Sequence, residues 1–217
     1  LQNHFCSNDK GNYTTTNSYR TNLNHLLSSL PSTNGNGFGF YNSSYGGNTT
    51  SDAIYAIGMC KGDINNTTCL QCLNASRSAL MEPCPIQKEA IIWYDSCMLC
   101  YSNRSIYGVT ETILAFNLWS TRSVPSSKFD VFFGNLTILL QRLRTEAAAI
   151  QDFLSGSSEE LPNCCDGKEG GRVLRPSCNF NYQLNNTTNP RDAAQTWLLR
   201  QLMDIHLLNL TSTVLVC

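Results

Sequence analysis

Tyr19, Leu23, Leu26, Leu27 and Leu30 recur at spacings of three and four and stop at Pro31, which predicts an amphipathic helix with one buried face. Ser32 to Asn36 reads as a Gly/Asn loop. Phe38 and Phe40 then alternate with glycine, and Ala53 to Met59 is rich in apolar residues over a short run, so both read as strands. A second helix fits Thr68 to Met81, where Leu70, Leu73 and Leu80 share a face. Ala90 to Tyr94 and Met98 to Tyr101 read as two further strands joined by a short turn.

Strands and helices in this order, without regular strand-helix-strand alternation, predict an α+β domain with an antiparallel sheet and helices on one face. Ser120 to Ser127 is a linker or loop. Phe129 to Ala149 then repeats the character of the first helix, with Phe132, Phe133, Leu136, Leu139, Leu140 and Leu143 at helical spacing. The pattern is that of a second copy beginning. The apolar stretch Trp197 to Val216 is broken by Arg200, Asp204 and His206 and falls short of about 20 continuous apolar residues, so no membrane span is expected.

The 217 residues carry 15 Lys plus Arg against 16 Asp plus Glu. A net charge of -1 gives no global field to recruit nucleic acid or an anionic membrane. Eleven cysteines are too many for a typical reducing compartment and suit a secreted chain held by cross-links. Asn-x-Ser/Thr acceptors at Asn12, Asn42, Asn48, Asn65, Asn66, Asn74, Asn103, Asn135, Asn185, Asn186 and Asn209 point to the same compartment. The first residue is not Met and no charged-then-apolar leader is visible, so the numbering is read as starting after signal-peptide removal.

Cys60, Cys69 and Cys72 form a Cys-x8-Cys-x2-Cys run, followed by Cys84 and by Cys97 within Ile91-Ile92-Trp93-Tyr94-Asp95-Ser96-Cys97. With Cys6, the Tyr101-Ser102-Asn103-Arg104 segment, and the later Pro162 to Lys168, Gly171-Arg172-Val173 and Pro176 to Asn179, the chain resembles the ginkbilobin-homologous, or stress-antifungal, domain of plants. That domain occurs in cysteine-rich receptor-like kinases and cysteine-rich repeat secretory proteins. The resemblance implies tandem domains, each a five-stranded antiparallel sheet carrying two helices. It also implies the pairs Cys6 with Cys84, Cys60 with Cys69 and Cys72 with Cys97, which spacing alone leaves among fifteen connectivities.

Two departures from the family shape the expectation. Cys100 stands where the family has Arg and becomes a seventh cysteine without a partner. Phe153 to Leu161 leads directly to Cys164-Cys165, skipping the middle strands and the second Cys-x8-Cys-x2-Cys, and the sequence after Gln183 is unlike the family's aromatic ending. The expected organisation is therefore a complete domain over 1–107, a shortened copy over 108–184 and a divergent tail over 185–217. Cys164, Cys165, Cys178 and Cys217 are left without assigned partners, and with Cys100 they admit a disulfide-linked dimer.

Some relatives bind mannose through an Asn, an Arg and a Glu, groups that together satisfy the donors and acceptors of a sugar. The matching positions are Ser7, Ile91 and Ser102 in the first domain and Ser120, Arg172 and Gln183 in the second, so only Arg172 retains the pattern. Cys69-x2-Cys72 and Cys97-x2-Cys100 also fit zinc-site spacing, but the sequons and the resemblance favour disulfides; no metal or cofactor is expected. His4, His25 and His206 are scattered, and no phosphate loop or kinase element is present, so catalysis is not expected. The expected function is that of a secreted, apoplastic recognition module with a protein or carbohydrate ligand. A mannose-binding antifungal lectin is the alternative.

Overall fold

The computed structural model describes residues 2–14, 18–33, 39–46, 53–62, 64–107, 109, 116–146, 165–176, 179–184 and 210–215. Two compact units, Leu1–Val109 and Thr110–Cys217, make up the chain.

In the first unit the elements run β1 (Asn3–Cys6), α1 (Ser18–Ser29), β2 (Phe40–Tyr45), β3 (Ile54–Cys60), α2 (Asn66–Met81), β4 (Ala90–Trp93) and β5 (Cys97–Ser102). The five strands form one sheet in the order β1-β4-β5-β3-β2, antiparallel throughout. All five apolar positions of the first helical pattern are at most 2 % exposed, Leu30 sitting in the 3-10 turn Leu30–Ser32 with which the helical run ends at Pro31. Burying each of these leucines contributes about 1.5–3 kcal/mol.

Helix α2 begins where Asn65 caps it, its side-chain oxygen accepting from the Thr68 N–H at 2.8 Å. The helix turns Leu73 and Leu80 inward and leaves Leu70 partly buried at the core margin. The facing side of the sheet contributes Tyr41, Ile54, Ala56, Ala90, Ile92, Leu99 and Tyr101 to the same core. Period-two alternation puts Ile57, Met59, Ile91, Trp93, Met98 and Cys100 on the sheet's other face. Gly58 is where β3 lets both helical layers close in: a methyl there would stand 3.0 Å from Leu73 Cδ2 and 3.3 Å from Leu30 Cδ2.

Three disulfides cross-link this unit: Cys6–Cys84, Cys60–Cys69 and Cys72–Cys97. They tie α2 to β3 and β5, and the end of β1 to the segment after α2. Cys69, Cys72 and Cys97 are thereby consumed as disulfide sulfurs and supply no thiolates to a metal. Cys100 is the free cysteine among the described residues.

The second unit comprises β6 (Phe116–Trp119), the 3-10 turn Ser126–Lys128, α3 (Phe129–Glu146), β7 (Gly170–Leu174), β8 (Asn179–Leu184) and β9 (Leu210–Leu215). Its sheet has the order β6-β7-β8-β9, again antiparallel. Phe132 and Leu136 of α3 are buried, and the Phe132 ring lies 6.1 Å from that of Tyr182 on β8. The expected helix over Phe129 to Ala149 is present to Glu146; the side chains of Leu139, Leu140 and Leu143, and residues 147–149, lie outside the described residues.

Cys165, to which the sequence assigned no partner, is disulfide-bonded; which cysteines join depends on the approach of their Cβ atoms in space, which a break in the linear motif does not reveal. Within the tail over 185–217, residues 210–215 form β9, a strand not anticipated from sequence; its Leu-Thr-Ser-Thr-Val-Leu segment is uncharged, rich in β-branched residues and free of Pro and Gly. Cys164, Cys178 and Cys217 lie outside the described residues, as does Phe153 to Leu161.

Two stability measurements follow. Replacing Cys6 and Cys84 together by Ala releases a 78-residue separation and should cost about 4.5 kcal/mol on the loop-entropy model, read as a lowered denaturation midpoint of the first unit. In the second unit, a methyl at Gly171 would stand 2.6 Å from Tyr182 Cε1 and 2.9 Å from Cys165 Sγ. Gly171→Ala should therefore destabilise that unit by about 1–3 kcal/mol while leaving the first unit's unfolding transition unchanged.

Candidate functional site

At one end of the first sheet, β1, β4 and β5 bring together a polar cluster centred on Glu89. The Ser7 N–H donates to the Glu89 carbonyl at 3.0 Å, extending the β1–β4 ladder by one rung. The Ser102 hydroxyl donates to Glu89 Oε2 at 2.5 Å, and Arg104 Nε lies 3.1 Å from the same oxygen. The Arg104 N–H donates to Ser102 Oγ at 3.2 Å. Ser7 and Ser102 are buried, while the Glu89 and Arg104 side chains are 20 % and 37 % exposed, so the ion pair lies at the cluster's rim.

The segment after β1 is drawn into the same network. The Ser7 hydroxyl donates to Asp9 Oδ1 at 2.7 Å and, with Lys10, holds the Asp9 carboxyl below the usual carboxylate range. Gln87 Nε2 donates to Asn8 Oδ1 at 3.2 Å and Asn103 Nδ2 to the Lys10 carbonyl at 3.4 Å. The strand ends are thus stitched together by hydroxyls, amides, a guanidinium and two carboxylates.

The three sequence-predicted positions of this unit, Ser7, Ile91 and Ser102, do share one face of the sheet around Glu89. Their chemistry differs from a sugar site. Ile91 is an apolar side chain, 4 % exposed, between Phe5 and Cys100 in register. Both serine hydroxyls donate to carboxylates of the protein itself. Glu89 was not singled out from sequence, Arg104 only as the end of a segment that carries the resemblance, and neither matches a position of the sugar triad.

The corresponding positions of the second unit have the same backbone frame. The Ser120 N–H donates to the Gly170 carbonyl at 2.8 Å, Arg172 on β7 stands in register between Leu118 and Asn181, and Gln183 on β8 stands opposite Gly170. Arg172 is half-buried. Next to it, Arg122 Nε lies 2.9 Å from Glu169 Oε2, and the Glu169 N–H donates to the Arg122 carbonyl at 3.0 Å. This pair binds the loop after β6 to the turn before β7.

A shallow depression beside α1 is lined by Asn22, Ser44, Tyr45 and Gly46, and His25 packs on the Tyr45 ring at 4.5 Å. It gathers no nucleophile and base within reach of one another. His4 lies on β1 opposite Ile92, on the face of the sheet opposite to that of Cys100, which lies opposite Ile57 and Ile91. His206 lies outside the described residues. Burial pushes the Cys100 thiol up to about 12, opposed by a hydrogen bond with the Ile57 backbone, so it is protonated at neutral pH.

Of the glycan acceptors, Asn12, Asn42, Asn65, Asn66 and Asn74 are exposed, and Asn103 and Asn135 are half-buried. Asn48, Asn185, Asn186 and Asn209 lie outside the described residues.

Residues 5–104 match the protein family described as salt stress response/antifungal. The chain is 35 % identical over 216 residues to an antimicrobial ginkbilobin-2-like protein of Castanea crenata, covering 83 % of this chain and 86 % of that one. It is 32 % identical over 216 residues to cysteine-rich repeat secretory protein 38 of Arabidopsis thaliana, covering 83 % of each. Cysteine-rich receptor-like protein kinase 29 of Arabidopsis thaliana is 32 % identical over 211 residues, but the chain spans 31 % of its length. Among solved structures, the tandem DUF26 ectodomain of the Arabidopsis thaliana cysteine-rich receptor-like protein PDLP5 superposes with a TM-score of 0.71 at 20 % identity, covering 84 % of this chain and 98 % of that one. At that identity the likeness speaks for the fold.

The state of Cys100 yields a measurement. At pH 7.4 its thiolate fraction should be about three thousand times lower than that of an ordinary thiol with a pKa near 8.5. Iodoacetamide should label it very slowly in the native chain at pH 7, about ten times faster per pH unit as pH rises to 9, and at the rate of an ordinary thiol after unfolding in denaturant. Differential alkylation read by mass spectrometry checks this.

Proposed function

Because this chain belongs to the salt stress response/antifungal family, together with ginkbilobin-2-like and cysteine-rich repeat secretory proteins, we propose that it works as an extracellular, non-catalytic recognition module. The first unit carries the reading. Three disulfides fix a small sheet under two helices, a construction that persists in an oxidising exterior, and the polar groups at its strand ends hold one another in place, each serine hydroxyl donating to a carboxylate and Arg104 closing on Glu89. No described helix is long and apolar enough to cross a membrane.

The division into 1–107, 108–184 and 185–217 belongs to the same proposal. Its support is the repeated frame: β6, β7 and β8 keep the adjacency of β1, β4 and β5, and Ser120 repeats the ladder bond of Ser7. The named glycosylation sites Asn12, Asn42, Asn48, Asn65, Asn74, Asn103 and Asn135 would surround a binding surface with sugar rather than fill it. A dimer through Cys100 is disfavoured by the burial of its thiol.

A protein ligand is favoured over mannose for the first unit, because Ile91 offers no donor where the sugar triad needs a guanidinium. The lectin alternative rests on Arg172 in the second unit. Calorimetric titration of the chain, secreted by plant cells and recovered from apoplastic fluid, with mannose and with soluble mannan separates the two. No heat of binding at millimolar sugar is expected, while saturable binding lost in Arg172→Ala would replace the proposal with the lectin reading. Failure to recover the chain in apoplastic fluid, or the absence of a mass decrease after peptide N-glycosidase A, would count against the extracellular part.

A further inference from the structure

We propose that the C-terminal tail is a replacement strand: β9 takes, in the second sheet, the seat that β3 holds in the first. The inference rests on reading residues 108–184 as a shortened copy of the first unit, and it explains how such a copy keeps β8 paired on both sides.

The registers match position by position. In the first sheet, β5 lies between β4 and β3, with Tyr101 opposite Ala90 on one side and Ala56 on the other. In the second, β8 lies between β7 and β9, with Tyr182 opposite Gly171 and Ser212. Both tyrosines are buried, and both donate their hydroxyls to a carbonyl in the segment before the neighbouring strand: Tyr101 to Gln87 at 3.1 Å, Tyr182 to Cys165 at 3.2 Å. One residue back, Cys100 stands between Ile91 and Ile57, and Asn181 stands between Arg172 and Thr213. On the far side, Cys6 faces Ala90 as Trp119 faces Gly171.

The two seats are filled from opposite directions along the chain. β3 precedes β4 and β5, whereas β9 follows β7 and β8, yet both run antiparallel to the central strand. Without β9, β8 would be an edge strand, with half of its N–H and C=O groups facing outward and unpaired. Six paired residues, Asn179 to Leu184 against Leu215 to Leu210, satisfy that side of β8 and move the edge out to β9. A segment that shares no motif with β3 can do this because the ladder is made by backbone groups and asks only for a strand-compatible sequence.

The test is amide hydrogen exchange at single-residue resolution on the full chain with its disulfides intact. In residues 179–184 the amides pointing toward β7 and those pointing away from it should both be protected. Unprotected outward amides would overturn the proposal. Deleting residues 210–217 should speed exchange of the outward set at least ten-fold while the inward set and the first unit hold their rates; unchanged outward rates would overturn it. Should that deletion unfold the second unit, Thr213→Pro gives the second reading, since it removes one N–H and restricts the strand locally. The proposal expects acceleration confined to β8 and β9, and no change in β8 would refute it.

Discussion

Cys6 and Cys84 meet across 78 residues, and much of the first unit is arranged around that junction. β1 has four residues and lies at the sheet edge, too short to hold itself by ladder bonds alone. The disulfide fixes its end against the segment leaving α2, and the next residue, Ser7, then enters the Glu89 network. Covalent and polar fastening are consecutive in sequence. The hydrophobic layer between sheet and helices can therefore be small, since the cross-links reduce the entropy of the unfolded chain by an amount comparable with the net stability of a domain.

Legibility in the sequence followed the strength of local periodicity. The α1 positions Tyr19 to Leu30 and the α2 positions Leu73 and Leu80 were readable because a helix buries one stripe and repeats it. β1 was not: its Asn-His-Phe-Cys shows no apolar alternation, and its place depends on partners almost ninety residues away. β6 was lost for a related reason, being four residues beside a loop. β9 was hidden because its strand-like segment lies beyond the residues that carry the resemblance. The polar cluster joins residues 13 to 15 positions apart on neighbouring strands, so no spacing in the sequence could mark Glu89 and Arg104 as partners.

The two units show what a sheet of this kind requires and what it can exchange. Both keep a central strand with a buried tyrosine and a close-packed neighbour at the facing position, Ala90 in one and Gly171 in the other. The residue two positions before that neighbour also stays polar in each, Lys88 and Glu169, although only Glu169 is buried. Side chains on the opposite face vary freely, from Ile91 to Arg172 and from Cys100 to Asn181. Recognition chemistry can therefore change on that face while the helix-facing side preserves the fold.

Asn65 closes α2 with its side-chain oxygen, which accepts the Thr68 N–H. An N-linked sugar attaches to the nitrogen of the same amide and leaves the oxygen's lone pairs in place. The residue can thus end a helix and anchor a saccharide at once, each task using its own end of one planar group. A glycan rooted there would leave the backbone in a fixed direction, set by the geometry of the helix rather than by a swinging loop.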